Sequence, residues 1–272
     1  MSKILVTGGC GFIGTHLANQ LAINGHKVTV IDRAINNRND LLSDINVILS
    51  DIRSHDFSGH YDVIYHLAAL RSLPDSSLYP EEYISTNVYG TQRIVSSFPR
   101  SRIVFASSSA AAENKSVYGI SKKCGEHFMN MHMNAVSIRF MNVFGEGQTE
   151  LQMAVPAFCW ALKHGKRAII NGDGSVKRDY TYVKDLCTEM IRIGESKIKG
   201  QTETGYGEPI KIIDLYKLLA RLSRSKEFYK LGPSRKEDMR ITCSKYRIKE
   251  PQYGFTEGMR RTVRWYMSTD EF

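Results

Sequence analysis

Nothing in this chain of 272 residues points to a covalent staple or a membrane anchor. Its five cysteines, Cys10, Cys124, Cys159, Cys187 and Cys243, are scattered, odd in number and never form C-x-x-C. Neither a disulfide framework nor a zinc site is implied, and the pattern suits a reducing compartment. No apolar run approaches the roughly 18 residues of a membrane span, and no charged-then-apolar leader precedes the apolar run that begins at Lys3. Internal repeats and low-complexity segments are absent as well. The expectation is a soluble, cytoplasmic protein with no metal, long enough for one large domain or for a domain plus a smaller lobe.

Positive charge is in excess, with a net charge of +9 and a pI near 9.2. The basic clusters at 122–123, 163–167 and 221–230 are separate, and no RNA-binding aromatic motif accompanies them. They read as solvated faces, some of them available to an anionic ligand such as a diphosphate, and no nucleic-acid partner is expected.

The amino-terminal pattern is strand, turn, helix, strand. KILVT runs into GGCGFIG, a helical periodicity follows through Leu17, Leu21 and Ile23, and HKVTVID closes the unit. Gly9-x-Gly11-x-x-Gly14 satisfies the dinucleotide fingerprint, and Gly8 makes three glycines spaced by three at 8, 11 and 14. Such a turn must be tight, let the backbone approach a pyrophosphate, and aim a helix N-terminus at the anion. Phe12 and Ile13 lie within that turn. Asp32 stands where a carboxylate binds the ribose hydroxyls, which favours NAD; Arg33 beside it is the one feature that would suit the extra phosphate of NADP.

Further along, Asp51 and Ile52 end a third apolar run, suited to the edge and face of an adenine ring or to an ordinary strand end. The run ending in HLAALR places Leu67, Ala68 and Ala69 where a cofactor could lie against the sheet edge, with Arg71 in reach of phosphate. His66 reads as a packed strand residue. Residues 82–97 read as one helix, and the strand RIVFASSS delivers a serine run at its carboxyl end, where open α/β sheets bind ligands. Tyr118 and Lys122 then share a helix face at four-residue spacing, either as a simple surface pair or as a base. Poising a phenol of pKa about 10 near neutrality takes about 4 kcal/mol. One cation at about 4 Å supplies a similar amount at an effective dielectric near 20.

The alternation predicts a doubly wound parallel sheet with right-handed crossovers, the Rossmann arrangement, over residues 1–141 and later interleaved segments. Residues 142–272 read mainly as a small mixed lobe, with a glycine-rich loop at 141–148 and a basic tail at the end.

In order, TGGCGFIG, Asp32, Asp51-Ile52-Arg53, HLAA, TNVYGT, SSSA, VYGISK, RFMNVFG, GDGSVKRDYTYV and SRKED resemble the extended short-chain dehydrogenase/reductase family, in its nucleotide-sugar epimerase and dehydratase branch. The resemblance implies NAD as cofactor, Tyr118 and Lys122 as the acid/base pair, Ser109 as the hydrogen-bond partner of the reacting hydroxyl, and Asn87 as support for the cofactor. It places Asn142, Arg178 and Arg235 on a nucleotide diphosphate and Thr242 at the gate for an N-acetyl group. Dehydratases and decarboxylases of the branch carry acidic residues directly after the hydroxyl residue, where this chain has Ala110 and Ala111. What remains is resemblance to a UDP-sugar 4-epimerase, with a nucleotide-sugar dehydrogenase or a non-catalytic NAD-binding scaffold as rivals. The resemblance also implies a homodimer built on the helices at 82–97 and 118–133, with Met129, Met131 and Met133 available to that face. The connection from Ser109 to Tyr118 is shorter than is usual in the family.

Overall fold

A computed structural model describes residues 1–34, 40–113, 115–234 and 241–270. The chain divides into two compact units, Met1–Phe140 with Cys187–Glu203, and Met141–Leu186 with Thr204–Phe272.

The first unit is built on β1 (Lys3–Thr7), β2 (Lys27–Asp32), β3 (Asn46–Leu49), β4 (Val63–His66), β5 (Arg102–Ser108) and β6 (Ala135–Phe140). With the later strand β11 (Gly200–Thr204) they form one seven-stranded sheet in the order β11-β6-β5-β4-β1-β2-β3. The pairings among β1 to β6 are all parallel. Strands such as β1 and β5 are buried along almost their whole length, which is why they read as continuous apolar runs rather than alternating ones. Strand order reverses beside β1, so its carboxyl end and that of β4 border the crevice where such sheets take ligands.

Crossovers are made by α1 (Phe12–Ile23), by α2 (Leu73–Leu78), α3 (Pro80–Tyr83) and α4 (Gly90–Ser97), by the short α5 (Ala110–Glu113), and by α6 (Val117–Met131). The single helix expected at 82–97 is interrupted: Ile84–Tyr89 is a π-helix between α3 and α4. Wider π turns often occur at functional positions, and Asn87 lies within this one. Ser116 caps α6, accepting from the Gly119 amide at 3.0 Å. Leu5, Ile64, Ile94, Ile103, Phe105 and Met129 form part of one buried cluster. Met129 is therefore core rather than surface, whereas Met131 and Met133 are exposed. Arg102 satisfies the carboxyl end of α8 (Val183–Glu195), donating to Ile193 O at 3.1 Å and Gly194 O at 3.3 Å.

In the second unit β7 (Asn142–Phe144) pairs in parallel with β10 (Tyr180–Tyr182), and β8 (Ala168–Asn171) with β13 (Tyr229–Gly232). A third sheet runs β12 (Ile210–Lys211), β9 (Lys177–Arg178), β14 (Ile241–Thr242). The expected loop at 141–148 thus begins as a strand. Helices α7 (Ala154–Lys163), α9 (Ile212–Ser223) and α10 (Gly254–Ser268) complete the unit. The basic tail is helical because Met259, Val263 and Tyr266 bury one face, a period that its arginines obscure in the sequence. Asp185 holds the start of α10, accepting from the Tyr253 and Gly254 amides at 3.0 and 2.8 Å. Among the described residues, no helix is long and apolar enough to cross a membrane, and no cluster of His, Cys, Asp and Glu could hold a metal.

Candidate active site

The glycine turn admits no side chain at its critical points. Gly8 has φ +73°, and a Cβ there would lie 2.7 Å from the Ala68 nitrogen. At Gly14 a Cβ would lie 2.1 Å from the Gly8 carbonyl oxygen. Gly11 opens α1 without a side-chain cap, so the backbone amides of the first turn, at Phe12 and Ile13, are presented at the helix N-terminus. Asp32, at the carboxyl end of β2, accepts from the Cys10 amide at 3.0 Å and the Ala34 amide at 3.2 Å. Burial raises its pKa, while those amides and the charge of Arg33 pull it back. A backbone cradle for a pyrophosphate next to a fixed carboxylate for ribose hydroxyls fits a bound dinucleotide.

Other cofactor candidates are held by the protein itself. Asp51 is bound bidentately by Arg53, at 2.7 and 3.0 Å for the closest contacts, and is held below the usual carboxylate range by that bond. Ile52 is buried against Gly90. Leu67 and Ala68 are tied to Thr7 through their amides, at 3.0 Å to its carbonyl and 3.3 Å to its hydroxyl, and Ala69 follows them. His66 is fully buried between Thr7 Oγ1 at 2.7 Å and Thr91 Oγ1 at 2.9 Å. Burial, aided by the charge of Lys122, pushes its pKa down to about 3, so it stays neutral. Asn87 accepts from Leu70 N at 2.8 Å and donates to Leu70 O and Ser121 Oγ, each at 2.9 Å. Its amide thus shapes the turn that carries Arg71.

Around Tyr118 the side chains differ from what spacing predicts. The Lys122 ammonium donates to the Ala106 carbonyl at 2.8 Å and lies 4.9 Å from the Phe105 ring centroid. Burial lowers its pKa to about 7. The Tyr118 phenol is raised by burial, and the groups that act against or with that rise are Ser108, Arg71 and Tyr83. Lys122 thus turns its ammonium to the sheet rather than leaving it on an open helix face. Of the serines at the end of β5, Ser108 is the one that acts on Tyr118, lowering its pKa against the effect of burial. Ser109 is tied by its amide to the Phe140 carbonyl at 3.0 Å. Gly119 packs so closely on Ala110 that a Cβ would stand 2.5 Å from its carbonyl oxygen. The start of α6 is thereby drawn against the end of β5.

Two residues that sequence reasoning passed over support this region. Glu126 extends the Tyr118, Lys122 spacing by one more turn, and that periodicity was the available signal. It is buried, accepting from Arg139 at 2.6 and 2.8 Å and from Ser107 at 2.8 Å. Burial raises its pKa, but the bonds from Arg139 and Ser107 outweigh this and leave it low. Tyr83 lies four residues before Asn87, and its ring stands edge-on to that of Tyr118.

In the second unit Asn142, Arg178 and Thr242 come together around Asp179. Asn142 donates to the Asp179 carbonyl through its amide nitrogen at 3.0 Å and its side chain at 3.2 Å, and to Thr242 Oγ1 at 3.5 Å. Thr242 pairs with Arg178 across β14 and β9. The buried Asp179 carboxylate accepts from the amides of Gly207 at 2.9 Å and Ser244 at 3.0 Å. Arg235 lies outside the described residues.

The model of the NAD dependent epimerase/dehydratase family matches residues 4–206. The chain belongs to this family. Its relatives include a UDP-glucose 4-epimerase of Mycolicibacterium smegmatis, 28% identical over 99% of this chain and 100% of that one. They also include a UDP-N-acetyl-alpha-D-glucosaminuronate decarboxylase of Bacillus cytotoxicus, 26% identical over 97% of both chains. Among solved structures, a UDP-N-acetylglucosamine 4-epimerase from Methanobrevibacter ruminantium, in complex with UDP-N-acetylmuramic acid, superposes with a TM-score of 0.90. It is 27% identical, with 98% of each chain covered. For this family member the cofactor is NAD. The relatives act on UDP-sugars by more than one chemistry, so membership establishes the reaction class and not the reaction.

Proposed function

We propose that the protein interconverts UDP-sugars at C4, either UDP-galactose with UDP-glucose or their N-acetyl counterparts. The carrying observation is that the groups acting on Tyr118 among the described residues are a serine hydroxyl, an arginine and a second phenol, and not a carboxylate. Ala110 and Ala111 follow the serines, where an elimination or decarboxylation chemistry would use an acid.

NAD supplies a reversible hydride acceptor for C4. Tyr118 takes the proton of the C4 hydroxyl and returns it to the reduced sugar, and Ser108 hydrogen-bonds the same oxygen and orients it. Lys122 and Asp32 hold the two ribose ends of the cofactor. Asn142, Arg178 and Arg235 bind the diphosphate, a task suited to arginine forks, and Thr242 leaves room for an N-acetyl group. Firm holding of the nucleotide with a loosely held sugar lets the 4-keto intermediate present its other face. Ile84 and Tyr89 of the π-helix, Ile120 of α6, and Met131 are exposed apolar side chains available to a second copy of the chain.

A second reading is decarboxylation of a UDP-hexuronic acid, which begins with the same C4 oxidation and is favoured by the similarity to the Bacillus enzyme. Incubation with both epimer pairs and with UDP-glucuronic acid, without added reductant, separates the two by the sugars formed and by carbon dioxide release. Conversion of neither epimer pair by folded, NAD-loaded protein would sink the epimerase. Net change in cofactor absorbance at stoichiometric turnover would point to a dehydrogenase.

A further inference from the structure

The end of β1 and the helical segment that carries Asn87 are joined through one buried ring. His66, at the end of β4, has Thr7 Oγ1 at 2.7 Å from Nδ1 and Thr91 Oγ1 at 2.9 Å from Nε2. Each hydroxyl has a second partner beyond the ring. Thr7 Oγ1 accepts from the Ala68 amide at 3.3 Å, and Thr91 Oγ1 donates to the Asn87 carbonyl at 2.6 Å. Phe105 packs beside the imidazole, with ring centroids 5.6 Å apart. Thr7, His66, Asn87 and Thr91 are each at most 2% exposed, so bulk solvent does not stand in for a missing partner.

The protons along this chain fix the tautomer. The single hydroxyl proton of Thr91 goes to the Asn87 carbonyl, which can only accept, so Thr91 Oγ1 accepts from Nε2–H. Nδ1 is then an acceptor and takes the proton of Thr7, whose oxygen already accepts from Ala68. In the other tautomer Nε2 and the Asn87 carbonyl would compete for one proton, and the Thr7 proton would have no acceptor, a costly arrangement in a buried site. A doubly protonated ring would add a buried charge, and burial keeps the ring neutral.

Both ends of the chain lie on turns beside the glycine cradle. A Cβ at Gly8 would lie 2.7 Å from the Ala68 nitrogen, so Ala68 packs directly on the glycine turn. At the other end the Asn87 side chain clamps Leu70 at 2.8 and 2.9 Å and reaches Ser121 Oγ at 2.9 Å. Asn87 lies in the π-helix and Thr91 in the first turn of α4, so the Thr91 hydroxyl holds the backbone where it leaves the ordinary helical ladder.

We propose that His66 is a positioning residue for NAD: held as the Nε2–H tautomer, it locks the turn at Ala68 and the turn at Leu70 in one fixed relation. The proposal rests on the reading of those two turns as the floor on which NAD lies.

The test has two readouts. In full chain labelled with nitrogen-15 histidine, long-range nitrogen–proton correlation spectra at pH 7 should give His66 a protonated Nε2 and a bare Nδ1, its signals being identified by their displacement in Thr91→Ser. The second is the rate at which NAD leaves the loaded full chain on dilution, at a temperature where each variant is folded. Thr91→Val fills the site but removes the hydroxyl, and release should quicken about tenfold, the consequence of one lost buried hydrogen bond. Thr91→Ser loses a methyl but keeps the hydroxyl, and release should stay within about threefold of the parent because the chain of hydrogen bonds is intact. A role in packing alone gives the opposite order, since valine leaves no cavity and serine does. Should Thr91→Val fail to fold, Thr91→Cys gives the same comparison, its thiol being a weak donor and acceptor. An Nδ1–H or doubly protonated ring, release from Thr91→Val at the parent rate, or faster release from Thr91→Ser than from Thr91→Val would each overturn the proposal. A folded parent that holds no NAD would instead count against the cofactor floor, with the ring tautomer still measurable.

Discussion

Lys122 and Ala106 are joined across helix and strand: the ammonium of the first donates to the carbonyl of the second at 2.8 Å. Burial of that ammonium lowers its pKa to about 7, and the charge of Glu126, which acts in the other direction, does not make up for it.

This produces a stability signature with a definite sign. Between the folded value near 7 and the ordinary lysine value of about 10.4, the unfolded chain binds the extra proton, so stability rises with pH across that window. Lys122→Met has no such dependence. Thermal melts of cofactor-free protein should show the parent gaining on Lys122→Met by several degrees between pH 6 and 9; parallel curves would contradict the buried, depressed lysine.

Glu126 has the opposite dependence. Its folded pKa is depressed, so its contribution is complete above the ordinary carboxylate value of about 4.3 and is lost as pH falls through the lower folded value. Glu126→Gln leaves Arg139 buried without its charge partner, at a cost of about 3–5 kcal/mol near neutrality. Urea unfolding at pH 7 and at pH 3.5 should show this gap narrowing on the acid side. An unchanged midpoint at pH 7 would mean that the pair contributes little.

Gly14→Ala tests the cradle. The new methyl would meet the Gly8 carbonyl oxygen at 2.1 Å, so the turn must open. NAD released by denaturing the purified variant should fall at least tenfold relative to the parent, with the far-ultraviolet circular dichroism retained. Stoichiometric NAD in a folded variant would show that the turn does not grip the pyrophosphate.

The two serines separate cleanly. If Ser108 orients the reacting hydroxyl, Ser108→Ala lowers kcat by about 100-fold, within the usual range for a group assisting proton transfer, while Ser109→Ala costs less than about threefold. The reverse ranking would restore the assignment implied by family resemblance.

The glycine spacing, the carboxylate at the end of β2 and the alternation of apolar runs with helical periods were legible because each is a local requirement: a φ, a steric limit, a period. Those requirements determined the dinucleotide turn, the parallel sheet and the family of this protein before any contact was known. Other features depended on packing. The helix at 82–97 contains a π turn at Asn87, and α10 hides its apolar stripe among arginines. The carboxylate of Asp179 meets amides that are 28 and 65 residues distant.

Tyr118 and Lys122 show the division most sharply. Sequence spacing alone put Tyr118 and Lys122 on one helix face. Only the tertiary structure decided that Lys122 turns to the sheet and that the turn carrying Arg71 is held by Asn87 and Tyr83. The reason is physical: spacing along a helix sets which side chains are neighbours, but desolvation and the competing acceptors of the surrounding elements decide which of them interact.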